Sequence, residues 1–423
     1  MTVHVHSIDR LDFSRHVRPG VGFVVGQAAG EPSTLTRALV GQRAALSGST
    51  VFLGSGFSTT FQPEHGDHLR FRGIGGIGSL RRLATAGVLD PLPCHISSIA
   101  PLIARGDIAC DVVLLQVSRA NRQGEHSFGL IADYVRAAVA RASLVVAEVN
   151  ARVPWTPCET PLRSDEIDIC VHTDEPLIEV PPAPFGDTER RIAAHLQAAI
   201  PERATLQMGI GAVPEAVVAS LVDHRDLGIH SGMIGDSVAM LMQRGAVTNA
   251  AKGLDPGVTV TGSLIGTSML YRFADRNRSL LLRPSSYTHS GAHLASLRRL
   301  VSINSALEVD LTGQVNAEAI GDSYLGAVGG QVDFVRAAAR SPDGLSVIAL
   351  PATGRRGESR IVAALSGPVT TARSDVDVVA TEHGLAKLGG LTLRERIRAM
   401  VAIAAPEHRE TLLAAARRHW KGA

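Results

Sequence analysis

Residues 205–238 read TLQMGIGAVPEAVVASLVDHRDLGIHSGMIGDSV, and this stretch decides the fold. An apolar run over 204–211 has the composition of a buried strand, and 214–222 has the composition and length of a helix. Between them, Gly209 and Gly211 let the backbone approach a ligand closely, and the start of a helix favours anions. A tight turn that binds nothing fits the same pattern. The stretch therefore predicts a strand–turn–helix unit and leaves its ligand open.

The same alternation extends along the whole chain. Apolar runs ended by turn or polar residues are typical of strands buried on both faces of a parallel sheet, and helix-like segments separate them. We therefore predict an α/β fold with open, mostly parallel, doubly wound sheets. The predicted strands are 22–26, 50–56, 111–118, 143–150, 204–211, 257–263, 300–307, 345–350 and 376–381, and the predicted helices are 33–46 with Ser33 as a candidate cap, 134–142, 189–200 and 214–222.

Length and composition indicate two globular domains. A chain of 423 residues is too long for one ordinary core. The proline-rich segment 179–191 is the best linker, which predicts an N-terminal domain over 1–185 and a C-terminal domain over 186–423. Charged residues make up 19% of the chain and the net charge is +2, which argues against a dedicated nucleic-acid surface.

Cysteine usage and hydropathy predict a cytoplasmic protein. Cys94, Cys110, Cys158 and Cys170 form no CxxC pair, and no histidine lies at zinc-finger spacing. The sequence thus predicts neither a structural metal nor a disulfide framework, and it fits a reducing compartment. The polar N-terminal segment lacks the apolar core of a signal peptide, and no run approaches about 18 apolar residues, so no membrane span is expected.

A second glycine cluster lies in GAVGGQVDF (326–334). The N–H groups around Gly326, Gly329 and Gly330 could stabilise the oxyanion of a thioester carbonyl, and a plain bulge or turn fits as well. The arginine-rich loop 354–360 could hold phosphates, although a solvated loop is the simpler interpretation. No GxGxxG follows a first strand with an acidic residue about 20 positions further on, which argues against a nucleotide-binding dehydrogenase.

Taken together, these motifs resemble those of the acetyl-CoA hydrolase/transferase family, most closely its 4-hydroxybutyrate and butyryl-CoA:acetate CoA-transferase branch. Several long motifs in one order carry the resemblance over almost the whole chain. They are GQAAGEP (26–32), LLQVSRANRQGEHSFG (114–129), VVAEVNARVPWT (145–156), TLQMGIGAVPEAV (205–217), DLGIHSGMIGDSV (226–238), SINSALEVDLTGQVNAEAIG (302–321), GAVGGQVDFVRAA (326–338) and VDVVATEHGLAKLGGLTLRERI (376–397).

The resemblance implies two open α/β domains with the active site in the cleft between them, in a homodimer or larger homo-oligomer. The implied partners are an acyl-CoA and a small carboxylate acceptor, with no metal and no cofactor beyond CoA itself. In the implied reaction a glutamate attacks the thioester and then carries CoA as a glutamyl thioester, in ping-pong fashion. CoA contacts are implied for Gly209, Gly211, Ala212, Val213, Pro214 and Glu215, and further contacts with an oxyanion donor for Gly326, Gly329 and Gly330.

One departure from the family pattern bears on the chemistry. The resemblance places the nucleophilic glutamate at position 232, and this chain has Gly232 there, between Ser231 and Met233. The flanking residues 227–230 and Asp236 match without a gap. A stretch that reads Tyr-x-Asn-x-Pro in relatives also differs, since residues 287–291 read YTHSG. Loss of a nucleophile costs on the order of a millionfold in turnover, so the double displacement is in doubt although the fold is not.

Three interpretations of the missing glutamate remain open. In the first interpretation, water or an acceptor attacks the CoA thioester directly, without an enzyme-bound intermediate. The pocket, enlarged by the missing side chain at 232, would then take a bulkier acyl group. Alternatively, another carboxylate takes over, with Glu308 as the first candidate, although a structural role explains that residue too. In the third interpretation the chain only binds acyl-CoA.

Two histidines are candidate general bases, because the unperturbed pKa of histidine lies near neutrality. His230 precedes the lost nucleophile, and a packing role is its alternative. His289 departs from the family pattern, and loop drift is its alternative. Ser231 is discounted as a nucleophile, since adjacent residues of a strand point to opposite faces. Asp236 and Glu148 are interpreted as structural.

Overall fold

The computed structural model describes residues 2–5 and 8–419, and the first half of the chain forms an eight-stranded parallel sheet. The strands of this half are β1 (Val3–Val5), β2 (Gly22–Val25), β3 (Thr50–Leu53), β4 (Arg70–Gly73), β5 (Leu89–Pro91), β6 (Val112–Val117), β7 (Glu125–His126), β8 (Leu144–Asn150), β9 (Leu162–Arg163) and β10 (Ile169–Thr173). The helices are α1 (Ser33–Gly41), α2 (Arg81–Thr85), α3 (Ile96–Arg105) and α4 (Val135–Arg141). The sheet order is β1-β10-β8-β6-β2-β3-β4-β5, and β7 pairs with β9 outside it.

The second half repeats this architecture. Its strands are β11 (Thr205–Met208), β12 (Gly228–Ile234), β13 (Thr259–Leu264), β14 (Leu280–Leu282), β15 (Leu300–Asn304), β16 (Glu308–Asp310), β17 (Val315–Asn316), β18 (Ala319–Ile320), β19 (Ser323–Tyr324), β20 (Leu345–Ala349), β21 (Ile361–Val362), β22 (Val378–Thr381) and β23 (Gly384–Lys387). Its helices are α5 (Asp187–Gln197), α6 (Ala212–Ser220), α7 (Asp236–Gln243), α8 (Ser268–Ala274), α9 (Ser285–Thr288), α10 (Gly291–Ala295), α11 (Gln331–Arg340), α12 (Leu393–Ile403) and α13 (Arg409–His419).

The second large sheet has the order β14-β13-β12-β11-β15-β20-β22-β23. Only its edge strand β23 runs antiparallel to its neighbour among the described strands. Each of the six residues of β6 and of β13 is buried, as expected for parallel strands covered on both faces. The predicted α/β class with mostly parallel, doubly wound sheets is confirmed.

One local prediction, the cap of the first helix, was wrong. Ser33 is already the first residue of α1, and the N-cap position is held by Pro32, which makes no side-chain cap hydrogen bond. Instead the carboxylate of Glu148 on β8 accepts hydrogen bonds from the N–H groups of Thr34 at 2.9 Å and Leu35 at 3.4 Å. A carboxylate satisfies the unpaired donors at a helix start as a serine would, and it also meets the positive end of the helix dipole. Glu148 is therefore structural.

The two halves share one apolar core. A single hydrophobic cluster contains Val24 and Val113 of the first sheet together with Leu206 and Ile229 of the second. The strands of the two sheets come from residues 3–173 and 205–387, with α5 between them. The boundary between 185 and 186 falls in that strand-free stretch and stays a prediction. Among the described residues, no helix combines the length and apolarity that a membrane span requires.

Candidate active site

The carboxyl ends of the two sheets face each other across a cavity of about 480 Å³. Backbone hydrogen bonds join the halves around it, with Gly76 N donating to Gly326 O at 3.0 Å and Ala132 N to Gly262 O at 3.0 Å. An ideal Cβ on Gly75 would lie 1.9 Å from Gly326 O, so this approach requires glycine there. Ligands of open α/β sheets bind outside the carboxyl ends of the strands, which makes this cavity the candidate active site.

Apolar side chains from both halves form most of the cavity wall. The lining includes Phe57, Ile74, Ile77, Met233, Ile265 and Phe334. Ten of the lining residues carry polar side chains, and Arg81, exposed at the rim, is the arginine among them. Such a cavity suits an apolar group that placed polar contacts hold in one orientation.

Gly232 lies in this cavity, on β12, and the side chain of His289 fills the space beside it. An ideal Cβ on Gly232 would lie 2.8 Å from Cε1 and 2.9 Å from Nε2 of the His289 ring. An ideal Cβ on Gly330 would lie 2.4 Å from the same Nε2. The imidazole can therefore occupy this position only because both neighbours are glycine. Positions 232 and 289, the two at which the sequence analysis expects a departure from the family pattern, therefore meet at one point.

His289 is buried and held in place. Its ring packs edge-to-face against Phe334 with centroids 4.9 Å apart, and its Nδ1 lies 2.9 Å from Thr288 Oγ1. The hydroxyl of Thr288 is itself placed to donate to Pro284 O at 3.4 Å. We assign the proton to Nδ1 on this basis, which leaves the Nε2 lone pair facing Gly232 and Gly330. Burial lowers the pKa of His289 to about 3, so the imidazole is neutral at physiological pH.

Asp133 is a cavity residue that the sequence analysis did not identify. It is 6% exposed, and Gln27 Nε2 donates to its Oδ2. Gln27 Oε1 accepts from Ser55 N at 2.7 Å, which fixes the amide with its NH2 group towards the carboxylate. Oδ1 has no hydrogen-bond partner within residues 2–5 and 8–419. Burial raises the pKa of Asp133 to about 7. A carboxyl group that titrates near neutrality in a cavity is suited to proton transfer.

No motif could have identified Asp133. It follows the apolar run of 130–132 and begins the turn before α4, and its importance comes from burial and from contact with Gln27, about a hundred residues away in sequence. The only signal in the sequence was its place four residues after the stretch 114–129, which carries the family resemblance.

His230 is not brought to the cavity. It is fully buried behind Gly232 on the same strand, and its Nε2 donates to Thr288 O at 3.1 Å. Burial lowers its pKa to about 3, and its Nδ1 is enclosed without a hydrogen-bond partner in the described part of the chain. The hypothesis of His230 as a general base therefore has no geometric support, and the ring holds the backbone that leads to His289.

Glu308 is also placed away from the cavity lining. Its Oε1 accepts hydrogen bonds from Asn316 Nδ2 at 2.9 Å, from Ser366 N at 2.7 Å and from Ser366 Oγ at 2.9 Å. A carboxylate engaged in this way fixes the loop around residue 366. The geometry gives no support to Glu308 as a substitute nucleophile.

The glycine turns divide into lining and supporting residues. Gly209, Gly326, Gly329 and Gly330 line the cavity. Gly211 precedes α6 with φ at 131°, and Ala212, Val213, Pro214 and Glu215 form the first turn of that helix outside the lining, so CoA contacts there stay a prediction. Ser231 is fully buried, and its hydroxyl lies 3.4 Å from the carbonyl oxygen of Met208.

The oxyanion donor cannot be the N–H group of Gly326. That group already donates to Glu318 O at 2.8 Å, which corrects the expectation for this residue. Gly329 has φ at 62°, and Gly330 is the N-cap of α11, a helix of ten residues whose start lies at the cavity. The positive end of that helix dipole favours a developing negative charge.

Both family models of acetyl-CoA hydrolase/transferase match the chain, the N-terminal domain over residues 12–182 and the C-terminal domain over 266–416. The 4-hydroxybutyrate coenzyme A transferase of Clostridium kluyveri is 38% identical over 397 residues, which cover 92% of each chain.

Two solved structures have the same fold over nearly their whole length. The crystal structure of 4-hydroxybutyrate CoA-transferase from Porphyromonas gingivalis matches with a TM-score of 0.83 at 33% identity, covering 99% of this chain and 98% of that one. RipA from Yersinia pestis matches with a TM-score of 0.91 at 30% identity, covering 95% of each chain.

Proposed function

The chain belongs to the acetyl-CoA hydrolase/transferase family, and from that premise we propose that it is an acyl-CoA hydrolase that cleaves the thioester by direct attack of water. One observation carries this proposal: the imidazole of His289 occupies the space into which a side chain at position 232 would project. The resemblance assigns the covalent nucleophile to that position. A neutral imidazole there can hold a water molecule but cannot form the glutamyl-CoA intermediate.

In the proposed step the oxygen of water attacks the carbonyl carbon of the thioester. Asp133, as the carboxylate, takes the proton from the water, since its pKa of about 7 matches that task at neutral pH. His289 Nε2 accepts a hydrogen bond from the second O–H of the water and orients it; that hydrogen stays on the oxygen and becomes the acid proton of the product. The C–S bond of the tetrahedral intermediate then breaks, and the proton on Asp133 passes to the leaving sulfur. The products are a carboxylic acid and free CoA.

The oxyanion of that intermediate is proposed to lie at the start of α11, near Gly329 and Gly330. Backbone N–H groups at a helix start need no reorganisation when the charge develops, and loss of one such donor typically costs about a hundredfold or more in kcat. His289 and these donors lie side by side, because Gly330 touches the imidazole. A water bound to His289 can therefore attack the carbonyl carbon of a thioester whose carbonyl oxygen lies at the start of α11.

The acyl group is proposed to be larger than acetyl. The space that a side chain at 232 would take is filled by His289, so the room for the acyl group is the cavity of about 480 Å³ and its apolar wall. Arg81 at the rim is placed to meet the anionic parts of CoA or of an acceptor. The homo-oligomer and the cytoplasmic location stay predictions.

The test is to incubate the purified protein with acyl-CoAs from acetyl to hexanoyl and benzoyl, with and without acetate or succinate. Free thiol and new CoA esters are followed by mass spectrometry. We expect CoA release that does not depend on the acceptor, and loss of that release in Asp133→Asn. Acceptor-dependent formation of new CoA esters with ping-pong kinetics would refute the hydrolase, and binding without turnover would indicate a protein that only binds acyl-CoA.

One observation favours a second candidate, CoA transfer with Asp133 as the covalent nucleophile. Asp133 lines the cavity and its Oδ1 has no hydrogen-bond partner among the described residues, so a carboxylate is present there despite Gly232. In that case the protein would carry CoA on the peptide that contains Asp133, and wild type would exchange CoA between carboxylates.

A further inference from the structure

Three potential metal ligands meet on the first sheet, away from the candidate active site. His4 on β1 and Cys170 and His172 on β10 place one ligand atom each within 4.8 Å of one another. His4 Nδ1 lies 3.3 Å from His172 Nε2, and Cys170 Sγ lies 3.4 Å from the same Nε2. The two rings are nearly parallel, with centroids 5.5 Å apart.

The parallel pairing of β1 with β10 explains why these side chains converge. His4 is the register partner of Cys170, so both side chains leave the sheet on the same face. His172 follows Cys170 by two residues and shares that face. His4 and His172 are 168 residues apart in sequence, so no short motif marks the cluster and the sequence analysis predicted no metal.

The separations of the ligand atoms fit a tetrahedral metal. With Zn–N of about 2.05 Å and Zn–S of about 2.3 Å, two ligands at a tetrahedral angle are separated by about 3.3 Å for N and N, and by about 3.5 Å for N and S. The observed separations are 3.3 and 3.4 Å. Two of the three separations therefore match a tetrahedral zinc ion, and the third, between His4 and Cys170, is within 4.8 Å.

We propose that His4, Cys170 and His172 form a binding site for a divalent transition metal of the Zn²⁺ type. Thiolate and imidazole are the ligands that such ions prefer. The cluster borders a cavity of about 280 Å³, which leaves room for a water or small anion as the fourth ligand. Arg119 in the wall of that cavity favours an anionic fourth ligand over a second cation.

Binding there would clamp the N-terminal edge strand onto the sheet. β1 is only three residues long and pairs with β10 alone among the described strands. A short edge strand without further support frays readily. The metal would replace the proton of the Cys170 thiol and release it to solvent, joining residue 4 to residues 170 and 172 through coordinate bonds.

The test uses the full-length protein, stripped of metal with a chelator and titrated with Zn²⁺ and, separately, with Co²⁺. We expect one site per chain by calorimetry, and with Co²⁺ a thiolate-to-metal charge-transfer band with the strong visible bands of a tetrahedral centre. His4→Ala, Cys170→Ser and His172→Ala should each weaken Zn²⁺ binding at least about tenfold. His16→Ala and Cys94→Ser, which alter a histidine and a cysteine outside the cluster, are the matched controls.

Unchanged Zn²⁺ affinity in the cluster variants, or the lack of a one-to-one site in the folded wild type, would overturn the proposal. Because His4 is exposed, His4→Ala is expected to fold and keeps the test decisive even if a change at buried Cys170 unfolds the chain. Hydrogen exchange of Val3–Val5 tests the clamp: Zn²⁺ should slow it in wild type and not in His4→Ala, and equal exchange with and without the ion would refute the clamp.

Discussion

The variant Gly232→Glu puts a carboxylate where the family resemblance expects one, and the structure predicts a steric conflict in the single variant. An added Cβ at 232 would lie 2.8 and 2.9 Å from two atoms of the His289 ring, shorter than a van der Waals contact. That ring is 6% exposed and packs against Phe334, so it cannot swing into solvent without disturbing its neighbours. The glutamate and the imidazole compete for one space.

The expected cost follows from this overlap. Forcing a larger side chain into a packed site typically costs about 1–3 kcal/mol, so Gly232→Glu should lower the free energy of unfolding by that amount. The double variant Gly232→Glu/His289→Asn removes the ring and should recover at least half of the loss. It also puts asparagine at the position where the family resemblance expects it. Only the double variant should place a carboxylate freely at the thioester.

Two assays measure the outcome, namely chemical denaturation and CoA exchange between an acyl-CoA and acetate. We expect exchange by the double variant to exceed that of wild type by about a hundredfold, a part of the roughly millionfold factor that a nucleophile supplies. The single variant His289→Asn completes the double-mutant cycle. Gly291→Glu is the control, because it adds the same charge where an added Cβ meets no atom within 4 Å. If Gly232→Glu alone is as stable as wild type and exchanges CoA as fast as the double variant, the reasoning is refuted.

Of four further predictions, two concern Asp133, one concerns Glu308 and one concerns the acyl group. Because burial raises the pKa of Asp133 to about 7, thioester cleavage should rise as the pH rises through about 7, and Asp133→Asn should lose that rise. Because the folded protein holds this proton more tightly than the unfolded chain does, the protonated carboxyl contributes its full stability at low pH, and that contribution is lost as the pH rises through about 7. In denaturation experiments, Asp133→Asn should therefore stabilise the protein more at about pH 8 than at about pH 5. Glu308→Gln should lower the free energy of unfolding by about 1–3 kcal/mol, since it weakens the hydrogen bonds from Asn316 and Ser366. Turnover per folded molecule should not change, and a loss of turnover would show that Glu308 takes part in the reaction. Hexanoyl-CoA should have a higher kcat/KM than acetyl-CoA, with up to about 0.8 kcal/mol for each methylene buried, and a preference for acetyl-CoA would contradict the larger acyl pocket.

The nine predicted strands all formed, because parallel strands buried on both faces are continuous apolar runs, whereas shorter or partly exposed strands such as β4 and β14 were not predicted. The run 111–118 became β6 (Val112–Val117) and 143–150 became β8 (Leu144–Asn150). The predicted helix 33–46 ends at Gly41 as an α-helix and continues as a tighter turn at 43–46. The cap of α1 was missed because Glu148 reaches it from more than a hundred residues away.

The candidate site was predictable where a motif marks the backbone and was not predictable where tertiary packing decides. Gly209 and Gly330 were found from glycine-rich turns, since a backbone that approaches a ligand or another chain segment closely requires glycine. The contact between Gly232 and His289 joins two positions that the sequence analysis singled out separately and that sequence spacing could not connect. Asp133 acquires its pKa from burial and from Gln27, and neither can be read from its neighbours in the chain.

The most direct test of the central claim, thioester cleavage without a covalent enzyme–CoA intermediate, is mass spectrometry of the intact protein during turnover in water enriched in ¹⁸O. We expect no protein species heavier by one CoA, and we expect one ¹⁸O atom in the released carboxylic acid. A protein–CoA adduct that maps to the peptide of Asp133, formed at the rate of turnover, would contradict this mechanism and establish a covalent CoA-transferase that uses a different carboxylate.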